Sequence, residues 1–123
     1  MSPHYSVPLS RLGKCDSDVS TRKGKAMNFE EMTDQEIVDI ANPIMDNLME
    51  ASTEIDHARH VADFTDRIKK ICTEEYLQKV CEEYQGKNGY FASRELVAVF
   101  KRPDAAAIIW KQFFTKAKGE FVA

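Results

Sequence analysis

Four titratable residues lie close together in the sequence and have the side chains best suited to chemistry: Asp56, His57, His60 and Asp63. In a helix, residues three apart lie on adjacent turns of one face, so the two imidazoles would be neighbours. Two histidines and a carboxylate could bind a transition metal, and an inward-facing acid or base could serve an isomerase or hydrolase. However, the helical zinc motif spaces its histidines by four, and this cluster lies among charged residues. We therefore interpret it as a solvent-exposed helix face and predict neither a metal site nor a catalytic residue.

Other chemical signals in the sequence are few. The three cysteines, Cys15, Cys72 and Cys81, form no C-x-x-C pair, so neither zinc binding nor a disulfide framework is indicated. Free thiols are typical of a reducing compartment, and we expect a cytoplasmic protein. The sequence contains no phosphate-binding loop, nucleophile elbow or internal repeat, and we expect no cofactor.

Length and composition fit one soluble globular domain. The chain has 123 residues, of which 43% are apolar and 30% are charged. No apolar run reaches the length of a membrane span, and the N-terminus lacks the apolar region of a secretory signal. We therefore expect no membrane partner.

Charge divides the chain into two parts. Residues 1–27 carry five basic and two acidic residues without periodicity, and we interpret them as a basic, disordered arm. Residues 28–123 carry twelve basic and eighteen acidic residues and form the predicted single domain. Because nucleic-acid-binding domains usually concentrate positive charge on their folded surface, this acidic domain argues against nucleic-acid partners.

A capping box marks the start of the first helix. The Thr33 hydroxyl can accept a hydrogen bond from a free backbone amide, while the Glu36 carboxylate reaches back to the Thr33 amide. Apolar residues then recur at helical spacing from Ile37 to Met49. Pro43 removes a helical hydrogen bond and clashes with the preceding turn, so we expect a kink or a restart there.

Two more helices are predicted before the spacing of apolar residues changes from helical to strand-like. Ser52 or Thr53 would cap the second helix, which runs to Ile71 with one apolar and one charged face. Thr73, followed by two glutamates, would cap the third helix, and Gly86 occupies the position expected of its C-cap. The helix from Ser52 or Thr53 to Ile71 would carry the two histidines.

Strand signals follow the helices. Residues 94–102 are rich in β-branched and aromatic residues, Pro103-Asp104 supplies a turn, and residues 105–115 form the partner strand. Residues 120–123 open a third strand that is either very brief or cut short. Three helices followed by a hairpin also suit a winged-helix DNA binder, but the third helix carries glutamates where phosphates would have to bind.

Alternation along the strands predicts two faces of the sheet, because side chains at every second position share a face. The inner face, which would pack on the helices with Leu96, Ala98 and Ile108, provides a pocket for a small apolar or amphipathic ligand: Phe100, Trp110, Gln112 and Phe114. The alternative is that these residues are core and that Gln112 bonds the backbone. The outer face would be an exposed apolar patch, typical of an interface, and we expect it to form a homodimer: Val97, Val99, Ile109 and Phe113.

Three stretches of the sequence are followed by an antiparallel meander: N-P-I-M-D-N-L-M-E-A from residue 42, T-E-E-Y-L from residue 73 and G-Y-F-A-S-R-E-L-V-A-V from residue 89. In this order they resemble small bacterial domains of the nuclear-transport-factor-2-like, or cystatin-like, family. The resemblance covers about two-thirds of the chain. It implies an α+β fold whose N-terminal helices pack on a curved antiparallel β-meander and enclose a half-cone pocket. It also implies dimerisation through the convex face, with ligand carriers, isomerases and hydrolases among the relatives.

Together these patterns predict a small α+β module that binds a ligand or a protein, is not an enzyme, and self-associates through its sheet. A pocket isomerase or hydrolase is the first alternative. The chain departs from the enzymatic relatives in having no acidic or histidine residue at the inner-face strand positions. A winged-helix DNA binder is the second alternative.

Overall fold

The computed structural model describes residues 27–123. The arm predicted for residues 1–27 therefore lies outside the described residues, apart from Met27, which packs near Phe29 and Ile37. A single 3-10 turn, Phe29–Glu31, precedes the helices α1 (Asp34–Glu54), α2 (His57–His60), α3 (Asp66–Ile71) and α4 (Glu74–Asn88) and the strands β1 (Phe91–Arg102), β2 (Ala105–Phe114) and β3 (Phe121–Val122). The prediction of an α+β fold, with helices before an antiparallel sheet, is confirmed.

The predicted capping box starts α1. The Glu36 amide donates to the Thr33 hydroxyl at 3.1 Å, and the Thr33 amide donates to the Glu36 carboxylate at 3.0 Å. Of the predicted kink or restart at Pro43, the restart does not occur: the helix continues through the proline and buries apolar residues both before and after it. Within residues 27–123, neither α1 nor any other helix combines the length and apolar character needed to cross a bilayer.

The predicted second helix is wrong in its start and in its continuity. Ser52 and Thr53 lie inside α1, which ends where Ile55 takes a left-handed conformation with φ of 54°. Asp56 and Thr65 then accept hydrogen bonds from backbone amides three residues ahead, and they start the short helices α2 and α3. Because such side-chain caps compete with helix continuation, they override the helical spacing of the apolar residues.

The last helix, α4, starts at the predicted cap, Thr73, but ends later than predicted. Gly86 lies within the helix. Gly89 ends it with φ of 81° and ψ of −147°, a conformation that residues with a side chain rarely adopt. A Cβ atom at residue 89 would clash with the Thr115 hydroxyl. Glycine at this position therefore lets the start of β1 approach the end of β2 closely.

The sheet has the order β1-β2-β3, and both pairings are antiparallel. The predicted hairpin turn joins β1 to β2. The register of β1 against β2 shifts twice, first between Phe91 and Arg94 and then between Leu96 and Ala98. A register shift of this kind gives one strand an extra residue, so side chains beyond it can change face.

The helices cover one face of this sheet, which we call the inner face. In the largest core cluster, Phe114 packs with Leu77 and Tyr84 of α4. Nearer the hairpin turn, Trp110 packs with Val38 and Ala41 of α1. All three strands contribute side chains to these contacts with the helices and the 3-10 turn: Phe91, Val99, Ala106, Ile108, Trp110, Phe114 and Phe121.

Candidate functional site: the outer face of the sheet

The predicted histidine cluster is divided among different structural roles. Asp56 caps α2 by accepting a hydrogen bond from a backbone amide of that helix. His57 Nε2 lies 2.7 Å from the Cys72 carbonyl oxygen, Asp63 is partly exposed, and His60 is only 2% exposed. The prediction of one solvent-exposed face is therefore wrong for His60. In the part of the chain that the structure describes, no three histidine, cysteine or acidic residues are grouped to hold a metal ion.

His60 is a core residue. Its ring packs edge-on against Phe64, with the ring centroids 5.5 Å apart. Burial lowers the pKa of His60 from 6.5 to about 4, against the opposing effect of a hydrogen bond with the Leu48 backbone. Because a general base must reach its substrate, a neutral histidine enclosed by the core is poorly placed for catalysis.

A buried polar network links α1 to α4. The Ser52 and Tyr84 hydroxyls form a hydrogen bond at 2.8 Å, and the Cys81 sulfur lies 3.4 Å from the Ser52 oxygen. Burial raises the pKa of both Cys81 and Tyr84, so neither group ionises at neutral pH. Cys72 and Cys81 are buried and are not joined to each other by a disulfide bond, while Cys15 lies outside the described residues. An enclosed, protonated thiol is a poor nucleophile, and we interpret the network as structural.

Three of the four predicted pocket residues lie in the core. Trp110, Gln112 and Phe114 are no more than 7% exposed. The Gln112 amide nitrogen donates to the carbonyl oxygens of Ala92 and Ser93, both at 3.2 Å. These two residues lie at the first register shift of β1, which interrupts the regular hydrogen bonds between the strands. The Gln112 side chain therefore supplies hydrogen bonds that their carbonyl groups would otherwise lack. This placement agrees with the alternative prediction, in which these three residues belong to the core and Gln112 bonds the backbone.

An open cleft of about 300 Å³ lies elsewhere, between the second half of α1 and the start of β1. Three acidic residues line its α1 side: Asp46, Glu50 and Glu54. Arg94 pairs with Asp46 at 2.8 Å, and Arg59 pairs with the two glutamates at 3.1 and 2.9 Å. Because arginines neutralise all three carboxylates, the cleft offers a ligand little charge for selection.

The side of the sheet opposite the helices, which we call the outer face, is apolar and is not covered by any of residues 27–123. On β2 its residues alternate with the buried Trp110, Gln112 and Phe114, and direct cross-strand partners share the same face. None of its members belongs to the core clusters within residues 27–123. The outer face contains apolar residues from all three strands: Ala98, Phe100, Ala105, Ala107, Ile109, Phe113 and Val122.

Two predicted positions on β1 are exchanged between the faces. Phe100, predicted for the inner pocket, is 62% exposed and pairs with Ala107 on the outer face. Val99, predicted for the interface, packs in the core instead. Ala98 moves to the outer face as well. The second register shift of β1 is the cause, because one extra residue reverses the alternation along the rest of the strand.

The remaining predicted interface residues stay on the exposed side. Ile109 and Phe113 lie on the outer face, and Val97 is 54% exposed at the second register shift. The prediction missed Val122, which is 59% exposed and pairs with Lys111. Its strand is only two residues long and therefore shows no alternation that could have assigned it to a face.

Charged residues flank the apolar centre of the outer face. At one end, Glu95 is the cross-strand partner of Lys111, which forms an ion pair with Glu120 at 3.1 Å. At the other end, Arg102 lies beside the hairpin turn. Neither Glu95 nor Arg102 forms an ion pair with any residue from 27 to 123.

Comparison with protein-family models, with curated proteins and with solved structures found no match to this chain. The resemblance to nuclear-transport-factor-2-like domains therefore stays a prediction.

Proposed function

We propose that this protein is a non-enzymatic interaction module that associates with a second copy of itself through the outer face of its sheet. One observation carries the proposal: helices pack on the inner face, whereas the outer face is also apolar but is uncovered within residues 27–123. Contiguous exposed apolar surface usually marks an interface, because water contact with it is unfavourable.

The roles of the titratable groups favour binding over catalysis. His60 and Cys81 are enclosed by the core, and Asp56 is used as a helix cap. The carboxylates of the cleft are paired with arginines. The surface of α4 exposes four glutamates, which disfavours the winged-helix alternative because they would repel phosphates.

The size of the outer face predicts the strength of the association. β2 has ten residues, so the face is about 34 Å long, and it is about 10 Å wide because β3 adds a third strand over only two residues. The footprint of roughly 350 Å² per chain is less than half of the ~800 Å² that each partner contributes to a standard interface. We therefore expect a reversible dimer with a Kd in the micromolar range.

Sedimentation velocity of the full chain, from low to high micromolar concentration, tests the proposal. We expect Phe100→Glu to stay monomeric, because a carboxylate in an apolar interface loses its hydration. Ile71→Glu is the matched control, since Ile71 is similarly exposed, 56% against 62%, but lies at the end of α3. The proposal is wrong if the natural chain remains monomeric throughout, or if both variants shift the equilibrium equally.

A further inference from the structure

Large and small side chains alternate on the outer face, both along and across its strands. Phe100 pairs with Ala107, and Ala98 pairs with Ile109, so each large residue has an alanine beside it in both directions. We call these four residues the checkerboard. Two layers interdigitate when the large side chains of one face the small side chains of the other. The checkerboard therefore fits a second copy of itself, as a two-fold symmetric interface requires.

Two face-to-face arrangements satisfy this pattern of sizes. With a two-fold axis perpendicular to the strands, Phe100 faces the partner's Ala98, and Ile109 faces the partner's Ala107. With the axis parallel to the strands, Phe100 faces the partner's Ala107, and Ile109 faces the partner's Ala98. Side-chain size alone does not distinguish them.

Charge distinguishes the two arrangements. Glu95 pairs with Lys111, and Arg102 pairs with Ala105. Along β2, Lys111 and Ala105 lie on opposite sides of the checkerboard, at equal distances from its centre. The perpendicular axis therefore places each Arg102 over the partner's Glu95. The parallel axis instead brings Glu95 to the partner's Lys111, which already pairs with Glu120, and leaves both Arg102 side chains unpaired at one end.

We infer that the protein forms an antiparallel face-to-face dimer in which two symmetric ion pairs, Arg102 with the partner's Glu95, flank the packed checkerboards. The inference rests on the proposed function and adds to it the orientation of the partner and the residues that determine specificity. Charges at the rim of an interface select the partner and its orientation more than they add affinity. The dimer therefore discriminates against apolar surfaces that lack this arrangement of charges.

Charge reversal tests the orientation. Arg102→Glu and Glu95→Arg should each weaken self-association about tenfold, because like charges then oppose each other, and the double variant should return the Kd to within about threefold of the natural value. Lys79→Glu, on the exposed surface of α4, changes the net charge as Arg102→Glu does and should leave the Kd unchanged. Rescue of Glu95→Arg by Lys111→Glu, and not by Arg102→Glu, would overturn the antiparallel orientation.

Chemical cross-linking gives a readout that does not depend on affinity. Packed sheets lie about 10 Å apart, so a short bismaleimide should join Arg102→Cys in one chain to Glu95→Cys in another, each with Cys15→Ser. Two chains of the same variant should not cross-link efficiently to each other, because equivalent residues of the two chains lie about 20 Å apart along the strands. Efficient self-cross-linking of Arg102→Cys would contradict the inference. Cys72 and Cys81 are buried and should not react in the folded chain.

Failure of the orientation is distinguishable from failure of the proposed function. If the natural chain dimerises and Phe100→Glu abolishes the dimer, but the charge variants all behave alike, the proposed function stands and the orientation is wrong. If the natural chain is monomeric at every concentration, both are wrong. Far-UV circular dichroism of each variant confirms that it is folded before its Kd is compared.

Discussion

Phe113 and Phe114 are consecutive residues of β2, yet they belong to regions of the molecule with opposite properties. Phe114 lies in the largest core cluster, with its ring centroid 5.0 Å from that of Phe121 and 5.1 Å from that of Phe91. Phe113 lies on the outer face and belongs to none of the core clusters of residues 27–123. One peptide unit thus separates a ring that stabilises the fold from a ring that is available to a partner.

The polar groups of the two faces differ in the same way. On the inner face, the Arg94 guanidinium lies 5.0 Å from the centre of the Trp110 ring and pairs with Asp46, and Gln112 bonds the backbone. On the outer face, Glu95 and Arg102 have no ionic partner within the described chain. Arg94 and Gln112 on the inner face therefore bind other residues of the described chain, whereas the outer face has a pattern that another surface can match.

Removing each phenylalanine ring in turn is the strongest test of this difference. Phe114→Ala should lower the free energy of unfolding by about 3–5 kcal/mol, because it leaves a cavity in the core. Phe113→Ala should lower the stability of the monomer by less than about 1 kcal/mol, and its effect on self-association should be small, because Phe113 lies beyond Lys111 and outside the checkerboard. Urea denaturation of the dilute chain measures stability, and sedimentation velocity measures association. Equal losses of stability would contradict the division between the faces.

A smaller loss of stability is expected from a substitution at Gly89, which lies at the junction between α4 and β1. Gly89→Ala should cost about 2–4 kcal/mol, because its backbone conformation is strained for alanine and the Cβ would clash with the Thr115 hydroxyl, which accepts a hydrogen bond from the Tyr90 amide. Gly86→Ala is the matched control. It lies within the helix with open space around its Cβ, and it should gain about 0.5–1 kcal/mol. Thermal unfolding of the two variants checks both values, and an unchanged Tm for Gly89→Ala would show that the junction adjusts without strain.

Sequence reasoning succeeded where the determining contacts are local. The Thr33 and Thr73 caps bond amides only three residues away, so residue type and spacing are enough to locate them. The end of α1 was missed for the opposite reason. Ile55 adopts a left-handed conformation that its β-branched side chain disfavours, and only the surrounding structure can hold it there.

The two faces of the sheet show the same limit. Alternation assigned β2 correctly, because that strand is regular and its buried residues recur at every second position. It failed on β1 beyond the second register shift, where Val99 and Phe100 exchanged faces. Such a shift is a property of two strands paired together, so the sequence of either strand alone does not reveal it.

Acid should affect the helix-covered side of the molecule and leave the outer face unchanged. Burial lowers the pKa of His60 from 6.5 to about 4, so the unfolded chain takes up the proton before the folded chain does. The stabilisation from neutral His60 is therefore complete above the unfolded pKa and is lost as pH falls through the folded pKa. The free energy of unfolding should therefore fall by about 2 kcal/mol between about pH 7 and about pH 5.

His60→Gln isolates that contribution, because glutamine keeps a polar side chain but does not titrate. Urea denaturation at the two pH values should show a smaller loss of stability for the variant than for the natural chain. The Glu36 carboxylate, whose pKa is lowered from 4.5 by the hydrogen bond from the Thr33 amide, loses its contribution only in stronger acid, below the two pH values compared, and it does so in both proteins. Equal losses would mean that His60 is not enclosed in the folded chain. Over the same range, self-association should follow salt concentration and not pH, because the outer face carries charged pairs but no histidine.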